Sequence, residues 1–222
     1  MQNNGVTPMM LYDKLYAQYG NLHWWPAQTP YEVMVGAVLT QNTAWTNVEK
    51  ALANFGTQLS AELVENMPLQ ELCERIRPAG FFNQKALYLK ALTAWFKTYD
   101  YSAACAAKTD LSILRRELLC VKGVGAETAD SVLLYALNLP SFVVDAYTKR
   151  LLKRIGVCPN AGQAQLYDAI QQYFEQAIPK DAALYNNYHA LIVENAKEHC
   201  RAKPLCTACP LADICAHASA TL

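Results

Sequence analysis

Apolar residues in this chain recur at helical rather than strand spacing, and that periodicity limits its possible folds more than any other feature. It runs through YEVMVGAVLT, LQELCERIRPAG, KALYLKALTAWFKTY, LSILRRELLC and AETADSVLLYAL. Leu111, Leu114 and Leu118 fall on one face, with Arg115, Arg116 and Glu117 between them. Breakers at Pro30, Pro68, Pro78-Ala79-Gly80, Gly123, Gly125, Pro140 and Pro159 cut the pattern into segments of ordinary helix length. An all-α protein of about ten short helices, packed by ridges and grooves, is expected. At 222 residues and 53% apolar composition the chain can bury a sizeable core. No apolar run approaches the roughly 18 to 20 residues that span a bilayer. The first residues show no basic stretch leading into an apolar one, so a cytoplasmic protein without membrane association is expected.

Nineteen basic residues balance nineteen acidic ones, which argues against coating nucleic acid by bulk charge but leaves room for a local basic face. Lys149, Arg150, Lys153 and Arg154 form one such cluster, although a charge cluster is usually only a solvated helix face. Just before it lies CVKGVGAETA, set between two amphipathic helical patterns. Gly123 and Gly125 permit positive φ and close backbone approach. The second helix then starts near Ala126. The amides of Gly123, Gly125 and Ala126 would point outward where a phosphate is favoured, which is the geometry of a helix–hairpin–helix gripping DNA backbone. A tight connection within a bundle would use the same glycines, and on the hairpin alone the two readings are even.

Asp145, in FVVDAYTKRLLKR, follows an apolar run and precedes a helical pattern. Such a position reads first as an N-cap. The two roles are compatible: a carboxylate at a helix start, beside a backbone-gripping hairpin, is placed to meet positive charge developing on a sugar.

The order of GVGAETA, then VVD about twenty residues on, then four clustered cysteines resembles the endonuclease III-like DNA glycosylases of the helix–hairpin–helix superfamily. The resemblance covers nearly the whole chain. It implies an enzyme that flips a damaged base out of double-stranded DNA and cleaves its N-glycosidic bond, with Asp145 as the catalytic carboxylate. It also implies two helical lobes, a six-helix lobe at 29–138 holding the hairpin (111–137) and a cluster lobe made of 1–28 with 139–222, with DNA in the cleft between them. Lys122 and Lys149 would join the hairpin amides against the backbone.

Where the family's bifunctional members carry lysine in GVGRKTA, this chain has Glu127. An amine is needed to form a Schiff base with the sugar, and a carboxylate cannot do so. Plain hydrolysis is therefore expected. A carboxylate about 4 Å from the oxocarbenium-like transition state would supply on the order of 4 kcal/mol, or roughly three decades of rate. A glycosylase/lyase acting on oxidised pyrimidines, with Lys122 or Lys149 supplying the amine, is the alternative enzyme. A non-catalytic damaged-DNA-binding module is the alternative from another class.

WWP, GAVLTQNT, RPAGFFNQKA and KGVGAETAD together resemble the 3-methyladenine branch of this family. That branch implies alkylated purines as substrates and a base pocket of Trp24, Trp25, Pro26, Trp45 and Lys197, with tryptophan at position 45 where phenylalanine is known. A cationic alkylated base suits π faces. Gln41 and Asn42 match the segment that fills the space of the flipped base. RPAGFFNQKA reads mainly as a structural turn, with a helix beginning near Asn83.

Cys73, Cys105, Cys120 and Cys158 are scattered among apolar neighbours and read as small buried hydrophobes. Cys200, Cys206, Cys209 and Cys215 lie within sixteen residues, spaced C-x5-C-x2-C-x5-C. In a chain without an export signal this points to metal, either a [4Fe–4S] cluster or a structural zinc. The family's run of C-x6-C-x2-C-x5-C implies the [4Fe–4S] cluster. The cluster loop would carry Arg201 and Lys203 against phosphate. A monomer is expected.

Overall fold

The computed structural model describes residues 5–22, 24, 27–157 and 166–221. Among these lie thirteen α-helices and no strand, so the protein is all-α. None of the described helices is long and apolar enough to cross a membrane. The chain forms two compact units, residues 25–139 and residues 1–24 with 140–222.

The unit at 25–139 is built around the Pro30–Leu39 helix. Its sequence is apolar nearly all round, and every residue from Tyr31 to Leu39 except Glu32 is buried. Thr29 caps its start by accepting the Glu32 amide at 3.1 Å, and Pro30 sits where its missing N–H costs nothing. Met34, Val38 and Leu39 pack in one core with Leu72, Ile76, Leu89, Leu92 and Leu133. Truncating any of these leucines to alanine would cost about 2–5 kcal/mol. The expected six helices of this region are present as eight α-helical segments, two of which, Ala61–Asn66 and Ala103–Ala106, are only six and four residues long.

The other unit packs the Pro8–Tyr19 helix on the Ala182–Glu198 helix. Its centre is aromatic. Phe142 stacks on Phe174 with centroids 4.2 Å apart, and Tyr185 and Tyr188 meet Phe142 edge-on at 5.5 and 5.6 Å. The buried Tyr188 hydroxyl donates to the carbonyl of Pro8 at 2.6 Å, and that of Tyr173 donates to Val6 at 2.9 Å. These bonds tie the N-terminal segment to the C-terminal helices.

Phe142, Val143 and Val144 form a buried extended segment, a costly place for unpaired backbone groups. Side chains of the Leu166–Glu175 helix satisfy it. Glu175 accepts the Phe142 amide at 2.8 Å, Gln171 donates to the Phe142 carbonyl at 2.8 Å, and the Tyr167 hydroxyl accepts the Val144 amide at 3.3 Å. The segment delivers the chain to Asp145.

Two cysteines depart from the buried reading. Cys73 is buried, but Cys105 and Cys120 are exposed, and Cys158 lies outside the described residues. Cys105 sits on a helix of four residues, too short to bury more than one face, and Cys120 ends the Leu111–Cys120 helix, whose buried residues are Leu114 and Leu118.

Candidate active site

The hairpin runs from the Leu111–Cys120 helix through Val121–Gly125 into the Ala126–Ser131 helix, which continues as a π-turn over Val132–Ala136. Gly123 has φ +85°, and a Cβ there would lie 2.1 Å from the Tyr88 ring, so both conformation and space demand glycine. Gly125 corrects the expectation of positive φ at both glycines. Its φ of −92° suits any residue, and a Cβ would meet nothing within 4 Å. Its exposed backbone is open to a ligand rather than shaped by the fold. Arg115 fastens the two helices through a pair of bonds to the buried Asp130. Glu127 stands exposed in the first turn of the second helix.

Gln41 does not present its amide nitrogen outward. That nitrogen donates to the carbonyl of Gly123 at 3.0 Å and to the Thr128 hydroxyl at 2.9 Å, locking the 40–44 loop to the hairpin. Asn42, at φ 53°, and Ala44 are the exposed residues of that loop. A second tip lies on the RPAGFFNQKA turn, where Phe81 is 67% exposed at φ 47° and the helix begins at Phe82, one residue earlier than expected. A bulky residue held in the left-handed region with its ring in solvent is strained. Beneath both tips, the buried Lys85 ammonium donates to the carbonyls of Leu39 at 2.8 Å and Ala79 at 2.9 Å. One side chain thus joins the chain just before Gln41 to the chain just before Phe81.

In the other unit Asp145 is the N-cap of the Ala146–Ile155 helix. Its Oδ1 accepts the Thr148 amide at 2.7 Å and the Thr148 hydroxyl at 2.9 Å. Its Oδ2 faces Nε2 of His189 at 3.5 Å. Burial pushes the Asp145 carboxyl up, but His189 and the two Thr148 bonds outweigh it and hold the group below the ordinary carboxylate range. His189, itself buried, meets the Trp24 ring edge-on at 5.3 Å. Sequence reasoning missed His189 entirely.

A hairpin with an open glycine backbone and a capping carboxylate twenty residues beyond it agree with what sequence comparison finds. The signature of the HhH-GPD superfamily of base excision DNA repair proteins matches residues 35–180. The chain belongs to this superfamily. It is 50% identical to a Methanocaldococcus jannaschii protein assigned as a DNA repair glycosylase, over 92% of this chain and 94% of that one. Among solved structures it is similar to the H. pylori 3-methyladenine DNA glycosylase bound to 1,N6-ethenoadenine, with TM-score 0.73, 29% identity, and 87% and 98% of the two chains covered. It shares the fold of endonuclease III in a non-covalent DNA complex, with TM-score 0.79, 23% identity, and 97% and 98% covered. The protein is thus an HhH-GPD DNA glycosylase, and its relatives of this fold include DNA-bound enzymes.

The remaining expected site residues of this glycosylase lie on several elements of the two units. Trp25 and Pro26 lie outside the described residues. Trp45, half-buried, opens the Trp45–Ala53 helix and packs against the core of its unit. Lys122 is exposed, and the Lys149 ammonium stands over the Tyr167 ring at 5.4 Å. Lys197 is exposed and pairs with Glu194 at 3.5 Å. It stands eight residues beyond His189 on one helix, about 12 Å along the axis.

Among the described residues no three histidine, cysteine or acidic side chains are gathered closely enough to hold a single ion. Yet Cys200, Cys206, Cys209 and Cys215 all line one cavity, together with Arg154 and His199. Arg154 donates to the Cys200 sulfur at 3.2 Å and to the carbonyls of Arg201 and Ala202 at 2.6 and 3.1 Å, while Arg150 donates to the Cys200 carbonyl at 2.8 Å. Burial pushes the Cys209 thiol up, the Leu211 amide opposes this, and Cys200, Cys215 and Cys206 push it further up. Thiolate ligands gathered this way are stabilised by a cationic centre. A soft, all-sulfur donor set spread around a cavity fits a multi-iron cluster in its chemistry.

Proposed function

We propose that this glycosylase is monofunctional and hydrolyses the N-glycosidic bond of alkylated purines of the 3-methyladenine type. The observation that carries this is the pairing of a fixed, ionised Asp145 with an exposed carboxylate, Glu127, at the hairpin position where bifunctional relatives carry their amine. Asp145 stabilises the sugar cation electrostatically as the bond breaks, and water completes the hydrolysis. A cationic alkylated base leaves without a general acid, which suits a site with one catalytic carboxylate. Trp24, Trp25, Pro26 and Trp45 supply the faces on which such a base is held. Lys197, which pairs with Glu194 on an exposed helix face, supplies a cation to that pocket.

The hairpin amides at Gly123, Gly125 and Ala126 hold backbone phosphate, helped by Lys122 and Lys149. Asn42 and Phe81, both exposed and both left-handed, enter the duplex where the base has left, as apolar and amide wedges do in kinked DNA. Cys200, Cys206, Cys209 and Cys215 hold a [4Fe–4S] cluster, whose role is to stabilise the loop that bears Arg201 and Lys203.

Release of bases from methylated duplex DNA, identified by chromatography, tests the substrate. Methylated purines are expected in the soluble fraction. Release of oxidised pyrimidines instead, or a borohydride-trapped adduct on abasic DNA, would favour the lyase reading. Iron and acid-labile sulfide in equal amounts, with zinc absent, are the expected metal analysis.

A further inference from the structure

We propose that His189 is the positioning residue of the catalytic carboxylate, holding Oδ2 of Asp145 from one side while Thr148 holds Oδ1 from the other. The inference rests on the reading that Asp145 is the carboxylate that meets the sugar. An N-cap needs only one oxygen, and Asp145 commits Oδ1 to both the amide and the hydroxyl of Thr148. Thr148 makes no bond to Oδ2, and the ionisable group facing that oxygen is His189, with Nε2 at 3.5 Å.

His189 is itself held. It lies inside the Ala182–Glu198 helix with only 4% of its surface exposed, and the edge-on contact with Trp24 limits its ring rotation. A histidine introduced merely to fill space would be a poor choice, because burying a polar ring costs free energy that a leucine of similar size avoids. Nε2 lies against the carboxylate, so that the charge of the acid is directed at the reaction without reorganising.

His189→Leu keeps the bulk and removes Nε2, and His189→Gln restores a nitrogen of similar reach. Single-turnover release of methylated purines from methylated duplex is expected to slow about 100-fold in the leucine variant. The glutamine variant should recover most of that loss. Affinity for a duplex bearing a tetrahydrofuran abasic analogue should be unchanged in both. The chain has only four histidines, so the ring nitrogens can also be followed by NMR in 15N-histidine-labelled protein. The Nε2 signal of His189 should shift in Asp145→Asn, a measurement that stands even if His189→Leu does not fold. Full speed in His189→Leu, equal slowing in both histidine variants, or an unmoved Nε2 signal would overturn the proposal. If Asp145→Asn itself excises at the wild-type rate, the underlying reading of Asp145 fails instead, which separates the two failures.

Discussion

The guanidinium of Arg115 grips the carboxylate of Asp130 through two parallel bonds, Nε to Oδ1 at 2.9 Å and Nη2 to Oδ2 at 3.1 Å. The pair spans the two helices of the hairpin, and Asp130 has no exposed surface. Removing one partner strands the other. Asp130→Ala is expected to destabilise the protein by about 3–5 kcal/mol, whereas Arg115→Met with Asp130→Leu should recover much of the loss. Urea unfolding of the single and double variants checks this.

The two hairpin glycines should behave oppositely. Gly123→Ala drives a methyl into Tyr88 and strains a left-handed backbone, so thermal stability should fall sharply. Gly125→Ala meets no atom and should raise stability slightly, by about 0.4–1 kcal/mol. Its cost should appear in DNA affinity, lowered about tenfold by the loss of roughly one hydrogen bond's worth of contact. Calorimetry and duplex titration separate the two effects.

Lys85→Met leaves the carbonyls of Leu39 and Ala79 without their donor, and about 3 kcal/mol of destabilisation is expected. Burial holds the Lys85 ammonium below its ordinary range. The folded protein therefore releases this proton at lower pH than the unfolded chain. Stability contributed at this site rises with pH between the lowered folded value and the ordinary 10.5. Comparing wild type with Lys85→Met across that window tests the sign.

Asp145 works the other way. Its folded value lies below 3.8, so its stabilising contribution is complete above the unfolded value and is lost as pH falls through the folded one. The acid limb of the excision rate should lie below about pH 4. Asp145→Asn should lower excision by roughly three decades while keeping the helix cap, with little change in melting temperature. A pH–rate profile and a thermal melt measure the two predictions independently.

The all-helical fold was legible because its punctuation is dense. Pro30, with Thr29 before it, starts the central helix where the pattern places it, and Gly123 sits at φ +85° in the turn between the two hairpin helices. Asp145 could be singled out as an N-cap from its place between an apolar run and a helical pattern, which the structure bears out, while its catalytic role came from the family resemblance. His189 could not, since a histidine inside YHALIVENAK is indistinguishable from ordinary helix filler until the fold brings Asp145 beside it. Phe81 and Lys85 were hidden in a turn that reads as structural, because exposure and left-handed φ are not visible in residue identity. The exposure of Cys105 and Cys120 was likewise invisible, because it depends on which side of a short helix meets the core. Lys197 was named only by resemblance; it lies on an exposed face beside Glu194.

One ten-residue helix, Ala146–Ile155, begins at Asp145 and ends with Arg154 bound to Cys200, Arg201 and Ala202. Over that length of about 15 Å the rod has no internal joint. The sulfur-bearing loop is therefore fastened to the far end of the same strut that Asp145 caps, so a shift of one end is carried to the other.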